Sequence, residues 1–292
     1  MPNNNFWYIA SYPKSGNTWV RVFLSELISL ENKKGICQTH EFKKTINLNS
    51  QLNTGIIMSN RTWFDDQIGI DSSDLTNEEI DMLRSKTGLS NAIYSESHRY
   101  HKIHDAYRNL DNEMKSCVSK GCSGVLYLVR NPEDIAVSLH HFTKLNIDET
   151  INFMTNKDSY LCKDNRKLFK QLRQFLGSWD FHVESWLNQV DIPLLLIRYE
   201  DLKLDKEKTF YKISKFFKLS SNKTNIEKAI LNSEFKVLQK KENESGFFER
   251  PRSCNAFFRK GEIGEGEKVL NEIQKNKIRS QFKSTMVYLR YI

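Results

Sequence analysis

The residues best equipped to do chemistry stand near the start of the chain, in "YPKSGNTW" (12–19). A lysine, a glycine and three small polar residues separate the aromatic-apolar run "FWYIASY" (6–12) from a stretch in which Trp19, Val20, Phe23, Leu24, Leu27 and Ile28 recur at helical spacing. A strand, a tight turn and a helix start, in that order, offer unpaired backbone N–H groups to an anion, and the helix dipole adds to the attraction. Lys14 contributes a mobile positive charge, Ser15, Asn17 and Thr18 contribute donors, and Gly16 lets the backbone come close. The chemistry this suggests is phosphate binding. The lysine precedes the glycine, however, so the order G-x-x-x-x-G-K-[ST] is absent. Read alone, the same residues also fit an ordinary turn before a helix.

Two further segments set cations where a phosphate would sit. In "RNPEDIAVS" (130–138), Arg130 ends the apolar run "GVLYLV" and Ser138 lies one to two turns into the next helical pattern. Ligands of α/β proteins lie beyond the carboxyl ends of strands, and an arginine fork there can grip a phosphate through two bonds. A surface arginine capping the sheet is the alternative. In "RKGEIG" (259–264), Arg259 and Lys260 adjoin Gly261, although most such runs are solvated loops. Seven histidines are present, and composition does not choose among the neighbours His98, His101 and His104 as a proton acceptor; His140 and His141 are expected near the rim or walls of a site.

Positioning these residues calls for a framework, and the apolar pattern supplies one. Strands are expected at 6–12, 124–129 and 192–199, each apolar on both faces and each followed by a helix. Helices are expected after Trp19, from Thr76 through Lys86 (with Thr76-x-x-Glu79 as a capping box), from Glu133, and over 148–155, 164–189, 205–218, 222–232 and 267–288. Strands buried on both sides imply a parallel sheet covered by helices on each face. The expectation is a single α/β domain spanning 1–292. Residues 31–74 carry only a weak pattern, with "NLNSQLNTG" (47–55) the least structured part.

The whole-chain balance narrows the partners. There are 44 basic against 36 acidic residues, a formal charge of +8, and 39% hydrophobic content. That suits a polyanionic ligand, a nucleic acid or an anionic surface without selecting one. A nucleic-acid binder would show a dense Lys/Arg stripe with interleaved aromatics, whereas here the charges are spread among acids. Cys37, Cys117, Cys122, Cys162 and Cys254 form no metal spacing and no disulfide framework, which points to reduced thiols in a cytoplasm. No leader pattern opens the chain and no apolar run is long enough to span a bilayer, so no membrane insertion is expected.

Taken together, "YPKSGNTW" (12–19), "KIHDAY" (102–107), "RNPEDIAVS" (130–138) and "RKGEIG" (259–264) resemble, in order, the motifs of the PAPS-dependent sulfotransferases, with further matches at "RYEDL" and "GFFERP". The resemblance runs from Phe6 to Gly264 and implies a P-loop-containing nucleotide hydrolase-like fold. It implies that Lys14, Ser15, Gly16, Asn17 and Thr18 hold the 5′-phosphosulfate end of PAPS. Arg130, Ser138, Arg259, Lys260 and Gly261 would hold the 3′-phosphate, and Trp19, Tyr199 and Phe235, with Ser233 nearby, the adenine. His104 would be the general base and Lys102 would lie beside the sulfuryl oxygens, with Lys14 neutralising the leaving group. The implied reaction passes a sulfuryl group to a hydroxyl or amine of a small-molecule acceptor, a secondary metabolite by the bacterial style of the motifs, leaving PAP. No metal is expected, since the sequence offers no evident paired-carboxylate site. A nucleotide kinase, the main rival, would need the G-K-[ST] order and an acidic magnesium ligand after a second strand.

The chain departs from the family where R-K-G-x-x-G usually continues D-W-K: Glu265, Gly266 and Glu267 stand there instead. How that loop closes is therefore open, as is the oligomeric state, because the dimerisation element of animal cytosolic members is not recognisable. Segments 31–100 and 240–257 are expected to wall the acceptor pocket. Glu96, Glu242, Glu244 and Glu249 within them, with Asp105 nearby, suggest a polar or cationic acceptor.

Overall fold

Alternate residues of Phe6–Ser11 (β1) face opposite ways, and both sets are apolar, so this strand has no solvent face to offer. Phe6, Tyr8 and Ala10 join one buried cluster, while Trp7 and Ile9 join another. Gly124–Val129 (β4) divides the same way, with Val125, Tyr127 and Val129 on one side and Leu126 and Leu128 on the other. Burying one such Val, Leu, Ile or Phe is worth about 1.5–3 kcal/mol, so a strand with two apolar faces is driven to the middle of a covered sheet.

The computed structural model describes residues 6–32, 55–93, 99–111, 114–115, 118, 121–164, 168–219, 222–251 and 254–292. Most of the weakly patterned 31–54, His98, Glu96, Cys37 and Cys117 lie outside the described residues. With Gly55–Ile57 (β2), Arg99–Ile103 (β3) and Leu194–Arg198 (β5), the sheet has the order β2-β3-β1-β4-β5, and every pairing is parallel. Its register sets Ala10 beside Ile103, Ser11 beside Leu128 and Val129 beside Arg198. The carboxyl ends of four strands therefore share one edge.

On one face lie α1 (Asn17–Asn32), α8 (Lys206–Phe216), α9 (Lys223–Asn232) and Leu238 of α10 (Phe235–Ser245). The other face carries α4 (Pro132–Thr143), α5 (Ile147–Thr155), α6 (Trp179–Leu187), α12 (Glu272–Gln281) and α13 (Lys283–Tyr288). Helices α2 (Arg61–Ile68) and α3 (Asn77–Ile93) contribute to a third, smaller core around Phe64, Ile80 and Leu172. Two short helices, α7 (Tyr199–Leu204) and α11 (Glu265–Val269), begin at the sheet's carboxyl edge and beside α4. The α/β expectation holds, as does the Thr76/Glu79 capping box, whose bonds run both ways at 2.8 and 3.2 Å.

Three expectations are corrected. Residues 164–189 do not form one helix. Arg61 N donates to Lys170 O, Leu172 N to Ser59 O and Leu176 N to Ser159 O, and Gln174–Phe175 pairs antiparallel with Tyr160–Leu161. These long-range partners take the backbone groups that a helix would have used, and only α6 remains. The expected 267–288 helix is the end of α11 followed by α12 and α13, broken at Leu270–Asn271, where the backbone is extended, and again at Phe282, whose ring packs on Trp179 at 5.2 Å. Within 55–74, strand β2 and helix α2 appear where the pattern was weak, and β3 forms without a clean alternation because His101 and Lys102 occupy it.

The segment after β3 is held by a buried pair. Asp105 takes two bonds from Arg84 (3.2 and 2.9 Å) and one from Phe175 N, while its carbonyl accepts Trp186 Nε1. Both side chains are essentially inaccessible, at 1% and 0%. Asp105→Ala would leave the Arg84 charge buried, and a loss of about 3–5 kcal/mol is expected in urea unfolding. A variant within a few tenths of a kcal/mol of the parent would show that the pair is not an anchor.

Candidate functional site

Several of the expected residues lie at or just beyond the carboxyl end of a strand. Lys14 lies three residues past β1, Lys102 and His104 at the end of β3, Arg130 directly after β4, and Tyr199 directly after β5. These ends border one open cleft. Its walls include Lys14, Gly16, Asn17, Thr18, Trp19, Lys102, His104, Arg130, Ser138, Tyr199, Phe235, Arg259, Lys260 and Gly261. Two expected residues do not line it. Ser15 is buried with no hydrogen-bond partner for its Oγ, and Ser233 Oγ donates to Ile230 O at the end of α9.

The phosphate-type loop is built by its own sequence. Lys14 and Gly16 both take positive φ (71° and 95°), which turns the chain sharply into α1. A Cβ on Gly16 would come within 2.8 Å of Tyr199, so glycine is needed for close packing as well as for the turn. Asn17 ties the loop down by donating to Ile9 O (3.1 Å) and Ser11 Oγ (3.2 Å). The first turn of α1 thus lines the cleft with helix-start amides that have no intrahelical acceptor.

Five cations line the same cleft: Lys14, Lys102, Arg130, Arg259 and Lys260. The Lys14 ammonium is 4.4 Å from the centre of the Phe142 ring and 4.5 Å from that of Phe257. Burial pushes its pKa down to about 8, with Arg130, Lys102 and Arg259 adding to the fall and Cys254 opposing it. Arg130 donates to Lys14 O (3.2 Å) and Glu262 O (2.8 Å) and lies 4.4 Å from the Tyr199 ring centre, while its buried Nε has no partner. Arg259 and Lys260 both bind the Glu265 carboxylate. Trp19 meets Tyr199 edge-on at 5.9 Å, and Tyr199 OH donates to Gly261 O, so the aromatics and the 259–261 loop pack as one unit. Trp19 Nε1 is buried without a partner.

His104 is the one described histidine on the cleft wall; His101 packs against Phe6 and Tyr8, and His140 and His141 do not line the cleft. His104 Nδ1 lies 2.8 Å from Ser11 O. A carbonyl only accepts, so Nδ1 carries the proton and Nε2 keeps its lone pair. Burial, then the nearby Lys102 charge, holds the His104 pKa well below 6.5, so the ring is neutral at pH 7. Behind it, His182 Nε2 donates to His104 O (2.9 Å) and His182 Nδ1 accepts from Tyr127 OH (2.8 Å), which fixes the backbone bearing the ring.

Several wall residues were not singled out from the sequence: Pro13, Phe142, Leu161, Gln171, Leu238, Phe257 and Phe258. Apolar residues carry no motif, and no sequence signal separates them from core. The acidic residues expected to face an acceptor are engaged elsewhere. Asp105 holds Arg84, Glu242 accepts the N–H groups of Phe257 and Phe258, and Glu244 is a surface residue beside Lys240. Glu249 lines the cleft but is paired with both Arg21 (2.7 Å) and Lys102 (2.6 Å). Of these four, none offers a free buried carboxylate to a cationic acceptor on the cleft wall; Glu96 lies outside the described residues.

The altered loop after Gly264 closes by another route. Asp134, in the first turn of α4, accepts from Gly264 N (2.9 Å) and Gly266 N (2.8 Å). A Cβ at Gly266 would lie 2.5 Å from the Glu133 backbone carbon. The backbone approaches so closely because no side chain stands where the family places tryptophan. Glu267, where lysine is usual, pairs with Lys275 and Arg279.

Among the described residues, no group of three or more His, Cys, Asp and Glu side chains could hold a metal, and no helix is long and apolar enough to cross a membrane. Comparison with known proteins then gives the chain its place. It is 26% identical to sulfotransferase 1B1 of Canis lupus familiaris over 294 residues, covering 95% of this chain and 82% of that protein. With cytosolic sulfotransferase 12 of Arabidopsis thaliana it shares 29% over 184 residues, 60% of this chain and 52% of that one. Among solved structures it superposes on retinol dehydratase in complex with androsterone and PAP (TM-score 0.62, 18% identity, 97% and 81% coverage). It also superposes on mouse sulfotransferase SULT7A1 complexed with PAP (TM-score 0.57, 18% identity, 97% and 84% coverage). These two share the fold with this chain, the helix-flanked parallel sheet of P-loop-type nucleotide proteins. A model of the sulfotransferase domain matches residues 7–289, and the chain belongs to that family.

Proposed function

We propose that this protein is a PAPS-dependent sulfotransferase acting on a hydroxyl or amine of a small organic acceptor. The observation that carries the reading is the convergence of a phosphate-type loop, five cations and a neutral histidine on one cleft of a sulfotransferase-family chain. The buried, partnerless Arg130 Nε and Trp19 Nε1 fit a ligand that brings both phosphate and polar ring edges. PAPS supplies an activated sulfuryl group, and its transfer leaves PAP.

In this reading the first-turn amides of α1, with Asn17 and Thr18, hold the 5′-phosphate. Arg130, Ser138, Arg259 and Lys260 receive the 3′-phosphate, for which Glu265 must share its two cations. Trp19, Tyr199 and Phe235 border the adenine. His104 Nε2 takes the acceptor's proton as the acceptor's oxygen or nitrogen bonds to sulfur, opposite the breaking S–O bond. Lys14 neutralises the charge that collects on the leaving phosphate oxygen, and Lys102 faces the sulfuryl oxygens. Phe142, Leu161, Gln171 and Phe257 wall the acceptor side, which suits a small organic molecule such as a secondary metabolite. The free thiols Cys122, Cys162 and Cys254 fit a reducing cytoplasm.

PAP is expected to raise the melting temperature equally with and without excess EDTA. A shift that requires magnesium, or that ATP gives and PAP does not, would favour a kinase. Acceptor mixtures incubated with labelled PAPS and read by mass then identify the product class.

His104→Ala is expected to lower kcat on the order of 10²–10⁴-fold while leaving the PAP dissociation constant near that of the parent. Normal turnover in the folded variant would remove His104 as the base.

The pH profile of kcat/KM for PAPS reports the free enzyme. As pH rises through about 8, Lys14 loses its charge, so the alkaline limb is expected near that value. As pH falls, His104 accepts a proton only below 6.5, so the acidic limb lies below that. A profile flat from pH 7 to 10 would contradict the assigned role of Lys14.

A further inference from the structure

Glu249 is the one cleft-lining residue whose carboxylate joins two buried cations from different elements. Its Oε1 accepts from Arg21, one turn into α1, and its Oε2 accepts from Lys102 at the end of β3. Side-chain exposures are 1% for Arg21, 4% for Glu249 and 9% for Lys102. Burial by itself would raise the Glu249 pKa, but the two cations outweigh it and hold the carboxyl at about 2. Arginine does not deprotonate, so Lys102 is the member of the trio that can lose its charge, and burial does lower its pKa. The other charged or titratable groups acting on this trio are Lys14, in the phosphate-type loop, and His104, just beyond β3. Both disfavour another positive charge or leave it unaided, so among the described residues Glu249 supplies the compensating anion.

We propose that Glu249 positions Lys102 for sulfuryl transfer, keeping its ammonium charged and aimed along the cleft wall beside His104, with Arg21 locking the carboxylate in place. An ammonium has three N–H donors, and the 2.6 Å bond to Glu249 uses one, leaving others for the oxygens of the transferred group. Because Arg21 occupies the second carboxylate oxygen, Glu249 is not turned toward the acceptor and does not compete with His104 for its proton. The same carboxylate ties the start of α1, the end of β3 and the segment at 246–251 together, so the phosphate-type loop and the sulfuryl-facing lysine keep a fixed separation. This inference rests on the sulfotransferase reading of the cleft.

Glu249→Gln keeps the shape and removes the charge. PAP binding is expected to be retained or tighter, since a negative charge leaves a site for anions, while turnover of PAPS to PAP with the product-forming acceptor mixture falls on the order of 10²-fold. Competitive acetylation with peptide mass readout is expected to show Lys102 discharging at lower pH in Glu249→Gln than in the parent. Glu249→Asp, which keeps the anion, is expected to restore much of that titration and serves also if Glu249→Gln is unstable. In a Lys102→Ala background, Glu249→Gln is expected to add no further loss of kcat, because its effect passes through the lysine. Unchanged Lys102 titration in Glu249→Gln, or losses that add fully in the double variant, would overturn the proposal. Failure of PAP to bind the parent, with no sulfated product from any acceptor, would instead overturn the sulfotransferase reading itself.

Discussion

Parallel pairing of the five strands is the constraint from which the rest of the structure follows. When all strands run the same way, all their carboxyl ends emerge along one edge, and each following helix begins there. Residues 14, 102, 104, 130 and 199, far apart in the chain, meet because the ladder leaves each of them at the same height. The same geometry gathers helix starts, whose unpaired N–H groups and dipoles favour negative charge. A sheet buried on both faces thus produces an anion-seeking edge before any side chain is considered.

Side chains then concentrate positive charge at that edge, and the protein must hold those charges when no ligand anion compensates them. It does so by three means. Glu249 compensates Lys102 and Arg21, and Glu265 compensates Arg259 and Lys260. Arg130 donates to two backbone carbonyls, lies against Tyr199 and has the buried Asp134 carboxylate 3.7 Å away. Lys14 is met by the electron-rich faces of Phe142 and Phe257, which stabilise a cation less than a carboxylate does, and its pKa drops to about 8. The lysine in the phosphate-type loop is therefore among the cations left most ready for an incoming anion.

The loop at 259–267 shows how a family position can change while the closure survives. Removing the large side chain at Gly266 lets the backbone settle onto Glu133, and Asp134 collects the two N–H groups that would otherwise be buried without acceptors. Reversing the charge at Glu267 is matched by Lys275 and Arg279 on α12. Backbone packing makes the contact, and the 259–261 segment stands at the cleft.

Local pattern was sufficient for β1, β4, β5, α1, α4, α5, α8 and α9, because each buries a face whose period is set by its own residues. It was also sufficient for two strand ends, where "YPKSGNTW" and "RNPEDIAVS" place donors and cations by type and order, and for the cations of the loop "RKGEIG". It failed wherever partners distant in the chain competed for the backbone. Residues 168–177 read as helix but bond to 59–61 and 159–161, and β3 carries a histidine and a lysine that no strand pattern favours. The roles of charged residues were decided by tertiary structure alone. Glu242 and Glu249 read as acids of a segment walling the acceptor pocket, yet one accepts two backbone N–H groups and the other joins Arg21 and Lys102 across 228 and 147 residues of chain. A sequence determines which groups can carry charge and where strands end; whether a carboxylate meets solvent, an acceptor or a buried cation depends on which segments the folded chain brings within 3 Å of it.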